Sequence, residues 1–410
     1  MPRINPARVI SDLRALAQFG VWKTGVHRPT FSDAHMQSIQ WTMERMREAG
    51  LEPEFDGIGN VLGRSSAKGA VLLTGSHLES QNYSGWLDGP LGVIYGLEAA
   101  RAFSEDPACA GLGIDVACWN DEEGHFGHFL GSRSAIGIGT EEDIDRAAGR
   151  STGEKLRDAL KRAGLAGKPR FVLDPNRYAG YCEAHIEQGD NLISSGNRIG
   201  IVTAIVAIWQ FRVSFEGFQN HAGTTRMAIR KDAGAAMAEV CHQIAQRFPE
   251  IAGPRSVWTV GRMSLDPGAA SIIPGGAEMW FQIRDTDEAT LMRMESELSA
   301  IAARSNALGP CKAKIHAVSK SMPAKMDEGF QSALDEAAEA HAPGQHIRMP
   351  SGAGHDAQYL ARIMKSSMLF VPSIGGISHH WTEDTSDEDI VLGAQVYADA
   401  CALMLKRAAA

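Results

Sequence analysis

The sequence predicts an α/β protein: a helix-covered, mostly parallel sheet interrupted by an inserted α+β unit. Three observations lead there. Apolar residues at helical spacing alternate with short β-rich runs in the first part of the chain, a strand-like stretch opens a different pattern near residue 207, and the earlier style returns after about Ser319. Val9, Ile10, Leu13 and Leu16 predict a first helix, and Met36, Ile39, Met43 and Met46 a second that Gly50 closes. The Met36 to Met46 stripe reads as core packing. Strand-like runs at 69–74 and 114–119 flank an Ala-rich helical stretch from about Leu91 to Phe103, a β-α-β rhythm that implies parallel strands. The polar piece Thr140 to Lys168 reads as a surface excursion.

From residue 207 the order is a strand through Ile208, Phe211, Val213 and Phe215, a helix from about Lys231 to Phe248, strands at 256–262 and 277–284, a helix from Glu288 to Ser305, and a strand at 312–318. That is a β-α-β-β-α-β order, suited to a small α+β insert. A helix over 327–340 and an apolar strand at 367–371 then resume the first style. The expected organisation is 1–206 and 319–410 as one interrupted domain, with 207–318 inserted.

A chain of 410 residues accommodates two to three domains of about 150 residues each. Its formal charge of -9, with no block of five like charges, argues against nucleic acid as a partner. The longest apolar run, Ile199 to Trp209, is shorter than the ~20 residues of a membrane span. No leader-like apolar segment follows Met1, so the expectation is a cytoplasmic protein. Cysteines at 109, 118, 182, 241, 311 and 401 are dispersed, which suggests neither a disulfide framework nor a thiolate zinc site.

Ligands in a parallel sheet gather in loops beyond the C-terminal strand ends. There the chain places Gly75-Ser76-His77-Leu78-Glu79-Ser80, Asp88 with Gly89, Asp121-Glu122-Glu123-Gly124, Glu183-Ala184-His185-Ile186-Glu187-Gln188-Gly189 and Gly376-Ile377-Ser378-His379-His380. Both of the first two are read as loops after a strand ending at Thr74. Imidazole and carboxylate without thiolate make up the donor set of catalytic zinc, or of manganese, cobalt or nickel. Five donors on separate segments suffice for two ions sharing one carboxylate, and an adjacent Glu-Glu pair can divide metal binding from proton transfer.

These strings, with His221-Ala222-Gly223-Thr224-Thr225 and Ser351-Gly352-Ala353-Gly354-His355-Asp356-Ala357, run in one order over nearly the whole chain. In this the sequence resembles the carbamoylase and allantoate amidohydrolase branch of the di-metal exopeptidase superfamily. The resemblance implies that His77 and His185 hold one divalent ion, Glu123 and His379 the other, and that Asp88 bridges them, with zinc the first candidate metal. It implies that Glu122 is the general base toward a metal-bridging water that attacks a ureido or amide carbonyl. It makes the insert a lid and dimerisation domain whose His221 hydrogen-bonds the developing oxyanion, across a homodimer. Arg284 would clamp a substrate carboxylate, and Gln188 and Gly352 would line the ureido pocket, with Ser271 a further substrate contact.

The expected reaction is hydrolysis of the carbamoyl group of an N-carbamoyl-L-amino acid or related ureido acid, with allantoate or another N-acyl acid as alternatives. A non-catalytic binding relative has no need for Glu122 beside Glu123. Three residues depart from the pattern of the family it resembles: Glu79 stands where many relatives have a shorter aspartate, Ser271 where they have an asparagine, and Arg226 where they have a proline. His379 is preferred over His380 as the ligand. Glu383 is read either as holding a ligand or as facing solvent, His125 and His128 as pocket lining or surface, and His355 and Asp356 as polar groups holding the glycine-rich loop. Trp86 and Trp381 read as core or cleft lining.

Overall fold

The computed structural model describes residues 1–409, which form two compact units: 1–203 with 325–409, and 204–324. The larger unit is built on a nine-stranded sheet. Its centre is parallel: Ser366–Val371 pairs with Tyr178–Ile186, which pairs with Val71–His77, which pairs with Gly113–Trp119. Antiparallel strands extend it at both sides, Ile199–Ile205 beside Ser366–Val371, and Val61–Arg64 then Glu52–Phe55 beyond Gly113–Trp119.

Local sequence explains the helices on this sheet. Asn5 caps Pro6–Leu16 by accepting the Arg8 N–H, and Val9, Leu13 and Leu16 face the core. Ser32 caps Asp33–Glu48, which buries Ile39 and Met46 and ends before Gly50 at φ +77°. Pro90–Glu105 is buried on every side from Pro90 to Phe103. It packs against strands of the sheet and against the helices Pro6–Leu16 and Asp387–Ala409, so it has no solvent-facing polar stripe, and its buried Glu98 and Arg101 are paired with Arg8 and Asp12. Gly89 at its start has φ +87°, and a Cβ there would lie 2.5 Å from the His77 ring.

Two readings made from the sequence need correction. His77 is not in a loop: the strand does not end at Thr74, because Gly75, Ser76 and His77 continue to pair with Ala117, Cys118 and Trp119. His185 likewise lies inside a strand, Tyr178–Ile186, that the sequence does not announce. Both faces of that strand are buried, so polar-apolar alternation is absent, and Gly180, Glu183 and His185 interrupt its apolar run.

The smaller unit is a four-stranded antiparallel sheet in the order Val257–Asp266, Gly276–Asp285, Ala207–Glu216, Lys312–Lys320. Helices Ala233–Ile251 and Glu288–Leu308 pack on it. In Gly276–Asp285 burial alternates strictly, with Ala277, Met279, Phe281 and Ile283 in the core and Trp280, Gln282 and Arg284 on the opposite face. All six cysteines are free, and among the described residues no helix is long and apolar enough to cross a membrane.

Candidate metal centre

The parallel strands deliver their polar ends to one place. His77 is the last residue of its strand, Glu122 and Glu123 follow Gly113–Trp119, His185 is next to last in Tyr178–Ile186, and His379 follows Ser366–Val371. Asp88 precedes the buried helix. Its Oδ1 lies 3.4 Å from His77 Nε2 and 3.1 Å from His185 Nε2, and its Oδ2 lies 3.3 Å from His379 Nε2. His379 Nε2 is also 3.8 Å from Glu123 Oε2. Two donor groups therefore share one aspartate: His77, Asp88 and His185, and Asp88, Glu123 and His379.

Backbone carbonyls set the imidazoles. His77 Nδ1 is 3.0 Å from Glu79 O and His185 Nδ1 is 2.9 Å from Ile186 O. Each carbonyl can only accept, so each Nδ1 carries a proton and each Nε2 turns toward Asp88, which makes Nε2 the nitrogen that would bind a metal on losing its own proton. The group orienting His77 is thus the backbone of Glu79, while the Glu79 carboxylate stands 3.9 Å from Nδ1. That carboxylate, one methylene longer than aspartate, instead reaches 3.4 Å from the Glu123 N–H and 3.7 Å from His35 Nε2.

The charge balance fits a divalent ion. Burial works against an ionised Asp88, but hydrogen bonds from His185, His379 and His77 outweigh it and hold its pKa well below the usual carboxylate range. Burial also opposes charge on His77 and His185, yet Glu122 and Asp88 at the first, and Asp88 at the second, raise both imidazoles. His379, half exposed, is raised to about 9, chiefly by its hydrogen bond to Asp88. Burial, opposed by His77 and reinforced by Glu123, lifts Glu122 well above its ordinary value, and burial followed by Asp88 lifts Glu123. Three carboxyls crowded in a buried site call for positive charge, which a divalent cation held by these oxygen and nitrogen donors would supply.

The two adjacent glutamates are held differently. Glu123 Oε1 accepts the Gln81 backbone N–H at 3.1 Å and its Oε2 accepts Gln81 Nε2 at 2.6 Å. Glu122 takes no hydrogen bond on its carboxyl from the described residues, and its Oε2 lies 3.8 Å from His77 Nε2. Asp121, at φ +60°, organises the loop after them by accepting the N–H groups of His125, Phe126 and Gly127 and the Thr30 hydroxyl. His125 is buried and pairs with Ser80 O, holding the neighbouring loop.

Gln188 comes to the cluster itself. Its Nε2 donates to Asp88 Oδ2 at 2.9 Å and lies 3.3 Å from Ser378 Oγ. His355 packs edge-on against His185 with ring centroids 4.7 Å apart and meets Ser351 Oγ at 2.9 Å, while Gly352 is exposed beside it. Glu183, fully buried, accepts from Ser76 Oγ and from the Ala357 N–H. Sequence reasoning missed Gln81 and gave no role to Asp121 and Ser378, although both stand inside the motifs it singled out, because single Gln, Asp and Ser side chains carry no pattern of their own.

Within the smaller unit, His221 lies in a two-residue strand paired with Ile272–Ile273. Its Nδ1 accepts the N–H groups of Gly223 and Thr224 at 3.0 and 3.2 Å, which leaves the proton on Nε2 of an exposed ring. Ser271 supports this turn through its carbonyl, which accepts the Ala222 N–H. Arg284 donates Nε to Gln282 Oε1 at 2.8 Å and, with Gln210, Thr259 and Arg262, lines a cavity of about 530 Å³.

Comparison with known proteins agrees over the full length. The peptidase family M20/M25/M40 model matches residues 73–402. The allantoate amidohydrolase of Escherichia coli (strain K12) is 32% identical over 394 residues, covering 93% of this chain and 94% of that protein. The N-carbamoyl-L-amino-acid amidohydrolase of Pseudomonas sp. (strain NS671) is 32% identical over 406 residues, covering 96% and 97%. The crystal structure of an amidase of the hydantoinase/carbamoylase family from Burkholderia phymatum superposes with a TM-score of 0.92 at 45% identity, covering 100% of this chain and 99% of that one. The chain belongs to peptidase family M20/M25/M40, in its hydantoinase/carbamoylase group of amidohydrolases.

Proposed function

We propose that this protein is a metal-dependent amidohydrolase that cleaves the carbamoyl group of an N-carbamoyl-L-amino acid or a closely related ureido acid, releasing the amine, ammonia and carbon dioxide. Allantoate is the second reading, since relatives named for the two substrates are each 32% identical. The observation that carries the proposal is Asp88, shared by two donor groups beside a glutamate, Glu122, whose carboxyl has no hydrogen-bond partner among the described residues.

On this reading His77, His185 and Asp88 hold one divalent ion, and Asp88, Glu123 and His379 a second. Zinc is the first candidate, with manganese, cobalt or nickel as alternatives. When bound, such ions polarise the ureido carbonyl and acidify water. Glu122 takes the proton of the attacking water on its carboxylate and returns it to the leaving nitrogen. His221, with its proton on Nε2, donates to the developing oxyanion, and Arg284 pairs with the substrate carboxylate as a planar bidentate donor. Gln188, Ser271 and Gly352 complete the substrate contacts. The inserted unit serves as lid and dimerisation domain of a cytoplasmic homodimer.

A panel of N-carbamoyl, N-formyl, N-acetyl and allantoate substrates, with apo-enzyme reloaded by Zn, Mn, Co or Ni, tests the assignment. Glu122→Gln is expected to retain two ions per subunit and lose about 10²- to 10⁴-fold in kcat, whereas Glu123→Gln releases one ion. Full turnover by metal-free enzyme, or metal loss in the Glu122 variant alone, would reverse the reading.

A further inference from the structure

Gln81 and Arg150 surround Glu123 with a set of hydrogen bonds that reaches both its carboxyl and its carbonyl. Gln81 donates its backbone N–H to Oε1 at 3.1 Å and its side-chain Nε2 to Oε2 at 2.6 Å, and the same Nε2 reaches the Glu123 carbonyl at 3.1 Å. Arg150 then donates Nη2 to Gln81 Oε1 and Nη1 to the Glu123 carbonyl at 3.2 Å. Arg150 is itself anchored, its backbone N–H donating to His125 O at 2.8 Å.

The amide of a glutamine can face either way, and here its neighbours decide. A guanidinium has only donors, so it must meet the amide oxygen, which turns the amide nitrogen toward the carboxylate. Reversal would set oxygen against oxygen at Glu123 and nitrogen against nitrogen at Arg150. Arg150 therefore imposes on Gln81 the polarity that lets its amide nitrogen grip the Glu123 carboxyl. Glu122, one residue earlier, is not gripped.

We propose that Gln81 and Arg150 are positioning residues that lock the Glu123 carboxylate as a metal ligand and so separate the roles of the two adjacent glutamates, one fixed and one free to carry a proton. This rests on the reading of Glu123 as a ligand. The excursion at 140–168 thereby acquires a function, since it supplies Arg150 to the metal centre. A carboxylate whose two oxygens are already oriented binds an ion without first losing rotamer freedom, and partners of this kind are worth about 10- to 100-fold in metal affinity.

The test is metal affinity by chelator competition on full-length apo-protein, with the absorption spectrum of the cobalt-loaded form, for Gln81→Leu, Arg150→Met and Glu123→Gln. Gln81→Leu is expected to bind one ion about 10- to 100-fold more weakly and the other within about threefold of native, with a perturbed cobalt spectrum. Arg150→Met, at an exposed position that does not endanger folding, should show a smaller loss of the same ion and a lower kcat with KM little changed. If both variants keep native affinity and native cobalt spectra while Glu123→Gln loses an ion, the clamp is wrong and the ligand assignment stands. If Glu123→Gln keeps both ions, the ligand assignment falls and the clamp with it.

Discussion

The carboxylate of Glu383 accepts the backbone N–H of Asp88 at 3.1 Å. The same oxygen takes the Leu87 N–H at 3.3 Å, and the other lies 2.8 Å from the Ser378 hydroxyl, which is 3.2 Å from Asp88 Oδ2. Glu383 is 1% exposed, and burial first, then Asp88, pushes its pKa to about 8. A residue that the sequence leaves between ligand support and solvent is therefore the strut beneath the aspartate on which both donor groups converge.

That strut exists only because residue 85 has no side chain. A Cβ on Gly85 would lie 1.9 Å from Glu383 Oε1. Gly85→Ala is expected to displace Glu383, costing about 1 to 3 kcal/mol in urea unfolding and weakening metal binding by at least about tenfold. Native stability and native metal affinity in this variant would show that Asp88 does not depend on Glu383.

Asp56 provides a pH test away from the metal centre. Burial raises its pKa to about 6, although its Oδ1 accepts the Ile58 and Asn60 N–H groups at 3.0 and 2.8 Å. A carboxyl with a raised folded-state pKa binds its proton more tightly when folded. Its contribution is therefore full below about pH 4 and is lost as pH rises to about 6. Asp56→Asn keeps an acceptor oxygen without the charge. The variant should gain about 2 to 3 kcal/mol relative to the native protein between pH 4 and 7, read by urea unfolding at each pH. A difference that does not change with pH would contradict this.

Arg284→Lys should lower kcat/KM at least about tenfold for an acid substrate, because an ammonium does not reproduce the planar fork. The matching amide substrate should be poor already and lose little more. Equal losses on both substrates would assign Arg284 to the support of its own sheet.

His221 is expected to serve the neighbouring subunit. In a heterodimer of His221→Ala and Glu122→Gln subunits, one of the two sites then combines an intact Glu122 with an intact His221, and about half of native activity should return. No recovery in verified heterodimers would place His221 in its own subunit's site or outside the chemistry.

Read alone, the sequence showed the donor types, since His77, Asp88, Glu123, His185 and His379 are visible beside glycines, and it determined the first helix, since Val9, Leu13 and Leu16 repeat at the helical period. The alternation of Gly276–Asp285 is likewise legible in its residues, whereas the strand Tyr178–Ile186, buried on both faces, shows none. Tertiary structure alone decided which nitrogen His77 and His185 present, through the carbonyls of Glu79 and Ile186, and which glutamate is tied, through Gln81 and Arg150. It likewise decided that Glu383, nearly 300 residues from Asp88, holds that residue's backbone. Periodicity reports how a segment faces its own core. The direction of a single N–H, carbonyl or amide is set by strand register and by loops remote in sequence, which no local pattern encodes.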